Sequence, residues 1–245
     1  LKPKLIFSDF DGTITLEDEL TTHFFEILSL LKSHSIPLII VTGRSKSWAH
    51  FLLSHFHDLF EVVSEGGGVL SKVTLAGERR VLKDELLIDE LHPKKLVQVT
   101  ELLLKTFPRL SLSVDSFGRQ TDRAIELTDL ENDKVLNQEV RSFFEGQRVN
   151  FSTSNVHMNY WCGDISKISA IKTLMKRHAL GDEDVLFFGD SLNDESAFGG
   201  LPRSIGVSNV SSVLDQLKQK PKVILKGPEN RGPLGVHRYL LGLLK

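Results

Sequence analysis

Lys4-Leu5-Ile6-Phe7-Ser8-Asp9-Phe10-Asp11-Gly12-Thr13 is the stretch whose reading decides the fold. Its first half is apolar without alternation, the pattern of a strand covered on both faces. A strand of that kind belongs to a parallel sheet sandwiched between helices. In such sheets ligands gather beyond the carboxyl ends of the strands, and Asp9 and Asp11 stand at that end. One carboxylate can attack an electrophile while its neighbour gives or takes a proton. Gly12 lets the backbone close around an anion. The same four letters also make an ordinary turn, so the weight of the reading rests on the rest of the chain.

The arrangement recurs. Pro37–Val41 is a second buried-strand run, and it ends in Thr42-Gly43-Arg44-Ser45. A hydroxyl and free N–H groups at a helix start make an anion seat. Ser45 is the expected cap of a helix carrying Trp48, Phe51, Leu52 and Phe56. Before it, a helical pattern opens at Asp18 and runs through Phe24, Phe25, Leu28 and Leu31. Glu61–Ser64 is a third strand, Glu65 and the Gly66-Gly67-Gly68 turn follow, and Val69–Leu82 reads as a hairpin around Ala76-Gly77. Late in the chain Lys167–Arg177 is helical and Val185–Phe188 is buried strand. Gly189-Asp190-Ser191-Leu192-Asn193-Asp194 comes directly after it. Asp190 and Asp194 are hard oxygen donors of the kind Mg²⁺ takes. Ser204–Val207 and Lys222–Leu225 are further strands, and Val236–Leu244 is a last apolar helix. Strands alternating with helices predict an α/β fold built on a doubly wound, Rossmann-like parallel sheet.

The middle breaks this rhythm. Pro93 opens a helix to about Phe107. Leu110–Val114 and Arg123–Thr128 read as strands around the turn Ser116-Phe117-Gly118. Asn132–Phe144 is helical, and 149–152 and 156–161 are strands flanking Ser154-Asn155. Helix-strand-strand, twice over, is the signature of an α+β layer. The expected organisation is a catalytic core from 1–84 and 163–245, with residues 85–162 inserted as a second, α+β domain.

Bulk composition narrows the function classes. The chain has 245 residues, 40% hydrophobic and 25% charged, with a net charge of -2 and basic residues scattered along it. That argues against a nucleic-acid groove. Cys162 is the sole cysteine, so an internal disulfide and a cysteine metal cluster are excluded. No apolar run approaches the roughly 18 residues of a membrane span, and no signal-peptide pattern is visible. The expectation is a cytoplasmic protein, a monomer or weak homodimer, acting on a small molecule, with neither nucleic acid nor membrane as partner. The chain opens on Leu1 rather than methionine, and a few preceding residues are expected. His50, His55 and His57 lack a carboxylate at zinc-like spacing and read as surface or packing residues. Trp48, Phe51, Phe56 and Phe60 read as core.

Four elements in this order, D-x-D-G-T, a Thr-Gly turn, a lysine and G-D-x-x-x-D, resemble the haloacid dehalogenase superfamily of phosphohydrolases. All four are intact, at Asp9–Thr13, Thr42-Gly43, Lys167 and Gly189–Asp194. The inserted unit resembles the C2-type cap of subfamily IIB, the group of sucrose-, trehalose- and mannosylglycerate-phosphatase-like enzymes, and Arg44 after Gly43 fits that group. The resemblance implies that Asp9 attacks phosphorus and forms an aspartyl phosphate. Asp11 would protonate the leaving oxygen and then activate water. Thr42, Gly43, Lys167 and Asn193 would hold the phosphoryl group. Asp9, Asp11 through its carbonyl, Asp190 and Asp194 would hold or orient Mg²⁺. Arg44, Glu65, Gly66, Arg119 and His157 are the candidates for contact with the leaving group. The implied activity is phosphomonoester hydrolysis on a small metabolite, with a sugar phosphate as the leading class. Two alternatives stand beside it. One is a phosphomannomutase-type mutase, for which the arginine-rich cap stretch has no match here. The other is a non-catalytic phospholigand-binding module, which the complete set of carboxylates disfavours.

Overall fold

The computed structural model of the chain describes residues 1–153 and 157–245. Its elements in order are β1 (Leu5–Ser8), α1 (Thr22–Ser33), β2 (Leu38–Val41), α2 (Lys46–His55), β3 (Glu61–Ser64), β4 (Val69–Ala76) and β5 (Arg79–Leu86). Next come α3 (Leu91–Thr106), β6 (Asp122–Glu126), α4 (Thr128–Glu131), α5 (Lys134–Gln147), β7 (Asn150–Thr153) and β8 (His157–Trp161). The chain closes with α6 (Lys167–Arg177), β9 (Val185–Gly189), α7 (Glu195–Gly200), β10 (Ser204–Gly206), β11 (Val223–Ile224) and α8 (Gly232–Leu243).

Eight strands form one sheet in the order β11-β10-β9-β1-β2-β3-β4-β5. Pairing from β11 to β3 is parallel, and β4 and β5 add an antiparallel hairpin at one edge. The fold is thus α/β with a large, mostly parallel central sheet. From β1 the chain winds outward through β2 and β3. It later returns to the other side of β1 and winds away through β9, β10 and β11. The direction of winding therefore reverses between β1 and β9, the topological switch point at which such sheets open a crevice. Asp9 and Asp190 are the residues just beyond these two strands.

Alternation along β1 explains why both faces must be covered. Ile6 joins Ile40, Leu186 and Phe188 under α1, α2 and α8, where Phe24, Ile27, Leu52 and Leu240 are buried. Leu5 and Phe7 join Ile39, Val41 and Phe187 under α6 and α7, where Ile171, Leu174 and Phe198 are buried. A third core lies between α3, α5 and a separate sheet of order β6-β8-β7, around Leu96, Leu103, Phe144, Met158 and Tyr160.

The structure departs from the sequence reading at several elements. The strand expected at 110–114 is reduced to one bridge, Leu112 with Ile125, followed by a 3₁₀ turn over Val114–Gly118. Ser116 takes the place of a strand partner: its Oγ donates to the Ala124 carbonyl at 3.0 Å and accepts from the Ala124 N–H at 2.9 Å. That satisfies the edge of β6 without a fourth strand. Helix α1 begins at Thr22 rather than Asp18, because Glu17 and Asp18 both adopt positive φ in a tight turn closed by Leu16 and Glu19. Ser45 is the N-cap residue of α2 by backbone but makes no side-chain cap bond. Trp48, Phe51 and Phe60 are not core: each is at least 36% exposed, and the Arg44 and Arg80 guanidinium groups lie over Trp48 and Phe60. No helix among the described residues is long and apolar enough to cross a membrane.

Candidate active site

The site grows from the switch point. The Asp9 N–H donates to the Phe188 carbonyl at 2.8 Å, so β1 stays locked to β9 up to the residue that carries the carboxylate. Lys167, the first residue of α6, reaches the same place from the other layer. Its Nζ lies 2.6 Å from Asp9 Oδ1 and 2.7 Å from Asp194 Oδ1. The side-chain exposures of Lys167, Asp9 and Asp194 are 2%, 4% and 0%, so water screens none of these charges. Burial and the Asp194 charge push the Asp9 carboxyl well above its ordinary range, and Lys167 opposes them. Burial works against the Lys167 ammonium, but the two carboxylates outweigh it and raise its pKa.

Asp190 closes the other side. Thr13 Oγ1 donates to its Oδ1 at 2.8 Å, and Asn209 Nδ2 donates to its Oδ2 at 2.7 Å. Burial, then repulsion from Asp194, pushes the Asp190 carboxyl up to about 7 against the Thr13 bond. Gly12 has φ +75°, and a Cβ there would stand 2.5 Å from Asp190 Oδ2. The glycine is needed both for the backbone turn and for the carboxylate's approach. Asp194 Oδ2 accepts from the N–H groups of Asp190 and Ser191 at 2.9 and 3.0 Å. With its other oxygen on Lys167, Asp194 shapes the loop and orients its neighbours.

Asp11 does not point at Asp9's partners. Arg44 grips it from β2's loop, with Nε 2.8 and 2.9 Å from its two oxygens and Nη2 2.5 Å from Oδ1. The guanidinium carbon sits 4.1 Å from the centre of the Trp48 ring, an arrangement that holds the fork flat against the indole. Thr42 is fully buried, and its Oγ1 accepts from the Arg44 N–H at 3.0 Å. Gly43 has open space where a side chain would lie. The turn after β3 then packs on the start of α6: a Cβ at Gly67 would meet the Ser166 carbonyl at 2.3 Å. Only glycine lets this turn press against the residue before Lys167.

Glu65 and Arg119 turn out to join the two sheets. Glu65 Oε2 accepts from the N–H groups of Gln120 and Thr121 at 2.8 and 2.5 Å and from Thr121 Oγ1 at 2.8 Å. Arg119 Nη1 donates to the Gly43 carbonyl at 3.1 Å and to Asp122 at 2.7 Å, while Nε donates to Asp115 at 2.8 Å. Arg119 is thereby spoken for by the protein, which gives it a latching part rather than a free face for a leaving group. Burial pushes the Asp122 carboxyl up to about 6, with Arg119 opposing and Glu65 adding to the rise. Gly66, at φ 67°, lies beside Ile165. His157 bonds Ser113 at 3.1 Å and pairs in register with Glu126 on β6. Asn193 is exposed and accepts from Ser191 Oγ. Among the described residues it makes no bond to Lys167. Ser154 and Asn155, expected from sequence between the last two strands of the inserted unit, lie outside the described residues.

Two site residues carry no separate signal in the sequence. Thr13 lies inside the D-x-D-G-T motif. Asn209 stands outside every motif, and its one mark is its place shortly after β10, as the motif residues follow their strands. Its Nδ2 also donates to the Gly12 carbonyl at 2.9 Å, and its Oδ1 accepts from the Gly232 N–H.

Carboxylate oxygens of Asp9, Asp190 and Asp194 all lie within 4.8 Å of one another. Three crowded carboxylates share one ammonium, and, beyond burial, the repulsion that raises Asp9 and Asp190 is what a bound cation would relieve. The donor set is entirely hard oxygen, which suits Mg²⁺ with several waters retained. The residues present fit that ion.

Known proteins resemble this chain along much or all of its length. A family model for haloacid dehalogenase-like hydrolases matches residues 112–232, a range that includes Lys167, Asp190 and Asn209. A phosphoglycolate phosphatase of Archaeoglobus fulgidus is 26% identical over 253 residues, covering 100% of this chain and 99% of that one. A haloacid dehalogenase-like hydrolase from Bacteroides thetaiotaomicron superposes with a TM-score of 0.72 at 18% identity, covering 99% of this chain and 100% of that one. The sucrose-phosphatase of Synechocystis, solved with sucrose and phosphate, superposes with a TM-score of 0.70 at 16% identity, covering 99% and 98%.

Proposed function

We propose that this chain, which belongs to the haloacid dehalogenase-like hydrolases and is a phosphatase, cleaves a small phosphate monoester with Mg²⁺ through an aspartyl phosphate on Asp9. The observation that carries the reading is Lys167 bridging Asp9 and Asp194 in a water-excluded site at the sheet's switch point. An Asp9 oxygen attacks phosphorus as the bond to the leaving oxygen breaks. Asp11 supplies the proton to that oxygen, then takes one from the water that attacks the phosphoryl group and returns Asp9 as a carboxylate. Lys167 and the Thr42 hydroxyl bind phosphoryl oxygens, and charge stabilisation of this kind is most of what phosphoryl transfer requires. Asp9, Asp190 and the Asp11 carbonyl would hold Mg²⁺, with Asp194 orienting them. The ion would neutralise charge between nucleophile and phosphate.

For the leaving group, the relative matched along the whole chain is called a phosphoglycolate phosphatase. That favours a short, carboxylate-bearing alcohol. The sugar phosphate suggested by the resemblance of the inserted unit is the second reading. A phosphate-release screen with Mg²⁺ over phosphoglycolate, other phosphorylated hydroxy acids and hexose phosphates decides between them. Stoichiometric free phosphate excludes the mutase alternative, and no release from any ester overturns the reading as a whole.

Arg44 holds both oxygens of Asp11, so acid–base work at the leaving oxygen requires Arg44 to let at least one go. Arg44 thus sets where Asp11 waits. Arg44→Ala is expected to lower kcat by about 10–100-fold, part of the roughly 100–10,000-fold that a whole acid–base contribution supplies, because Asp11 itself remains. Steady-state kinetics should show the loss mainly in kcat rather than in KM.

Without Mg²⁺ the carboxylates make the folded state sensitive to pH. Asp190 is raised to about 7 from an ordinary value of 3.8, so the folded state binds its proton more tightly than the unfolded one. The stabilisation is complete below about 3.8 and is lost as pH rises through about 7. Chelator-treated protein should therefore gain thermal stability as pH falls from about 8 to 5. Scanning calorimetry of Asp190→Asn should show a flatter dependence, and saturating Mg²⁺ should flatten that of the wild type.

A further inference from the structure

Away from the catalytic crevice, His23, Glu26 and His237 converge on one another. His23 and Glu26 are three residues apart on α1, and His237 comes from α8, which packs beside α1 on the same face of the sheet. Glu26 Oε2 lies 2.7 Å from His23 Nδ1 and 3.1 Å from His237 Nδ1. The two rings are 5.8 Å apart with planes tilted by 35°. All three donor atoms fall within 4.8 Å of one another. Their backbones are fixed by buried neighbours, Phe24 and Ile27 on α1 and Val236 and Leu240 on α8. The side chains stay accessible, with exposures of 34% for His23, 48% for Glu26 and 16% for His237.

We propose that His23, Glu26 and His237 form a second metal site, for a divalent ion of the zinc class, that ties α1 to α8. Two imidazole nitrogens and one carboxylate oxygen select Zn²⁺, Co²⁺, Ni²⁺ or Cu²⁺ over Mg²⁺. The present spacings are slightly tight for an ion with bonds of about 2.0–2.2 Å, and small side-chain rotations open them. Each ring ligates through Nδ1 with its proton on Nε2, the tautomer that leaves the Nδ1 lone pair to the ion. Three protein ligands on an exposed surface leave water to complete the shell. The site differs in chemistry from the all-oxygen set at Asp9, Asp190 and Asp194, and Mg²⁺ held there does not compete for it.

The test is titration of the full chain with Zn²⁺ by calorimetry in millimolar Mg²⁺, with Co²⁺ absorption as a check on nitrogen ligation. One Zn²⁺ per chain and a higher melting temperature are expected. Since outer-shell changes alone cost about 10–100-fold in metal affinity, removing a ligand in His23→Ala or His237→Ala should weaken binding by at least tenfold. Glu26→Gln, an exposed and mild change, should weaken it too. All three variants should retain Mg²⁺-supported phosphate release, which shows that they fold. The proposal is overturned if Zn²⁺ does not bind saturably, or if His237→Ala binds it as the wild type does. It is overturned equally if Asp190→Asn rather than the histidine variants abolishes binding. None of these outcomes bears on the reaction at Asp9.

Discussion

Asp9→Asn is expected to abolish phosphate release while leaving the protein folded and more stable than the wild type in Mg²⁺-free buffer. Asparagine has the shape of aspartate, and its amide oxygen can still accept the Lys167 hydrogen bond now made at 2.6 Å. It cannot form an acyl phosphate. Loss of a nucleophile that no neighbour replaces should cost about 4 kcal/mol or more, roughly a thousandfold in kcat/KM. Stability should move the other way. Asp9 is buried beside Asp194 and Asp190, and burial and the Asp194 charge already drive its carboxyl toward the neutral form. A neutral amide removes that repulsion at no cost in packing. Activity and stability therefore trade against each other at this position, as they do where a site is strained for function. Single-turnover kinetics and a melting curve on the same preparation test both halves. A variant that kept most of its turnover would rule out Asp9 as nucleophile.

The features that locate this carboxylate were legible in sequence because they are local. Leu5–Phe7, Leu38–Val41 and Val185–Phe188 are apolar on both faces, so each announces a central strand, and the polar residues that end them announce the crevice. What sequence could not supply was contact across the fold. Arg44 with Asp11, Asn209 with Asp190 and Glu65 with Thr121 are pairs that periodicity does not link. The 110–114 segment reads as a strand by composition, yet Ser116 satisfies the backbone of Ala124 in a way that no hydropathy pattern encodes. Trp48 and Phe60 read as core by type, but arginines on neighbouring elements stack over them and leave them half in solvent. Lys167 lies between these cases. Its place at a helix start was visible, and its meaning came only with the other three motifs. Its burial against two carboxylates needed the folded chain.

That burial makes Lys167→Met the most destabilising single change expected in the site. Methionine fills similar volume and removes the only ammonium among Asp9, Asp194 and Asp190. Breaking a buried ion pair by deleting one partner typically costs about 3–5 kcal/mol, because the remaining charge is left uncompensated. For a chain of this size that corresponds to a fall of about 6–20 °C in melting temperature. Phosphate release should fall by about 100–1000-fold as well, the scale of losing a preorganised charge at the transition state. The double variant Asp9→Asn/Lys167→Met separates the two losses. With Asp9 neutral, only Asp194 lacks its ammonium, and Asp194 keeps the Asp190 and Ser191 N–H groups on its other oxygen. The double variant should therefore recover much of the lost stability, a coupling that direct contact between the two residues makes large. It should recover no activity. If the single lysine variant melts as the wild type does, the ammonium is not holding the buried carboxylates together. If stability and turnover recover together in the double variant, the roles given to Asp9 and Lys167 are wrong.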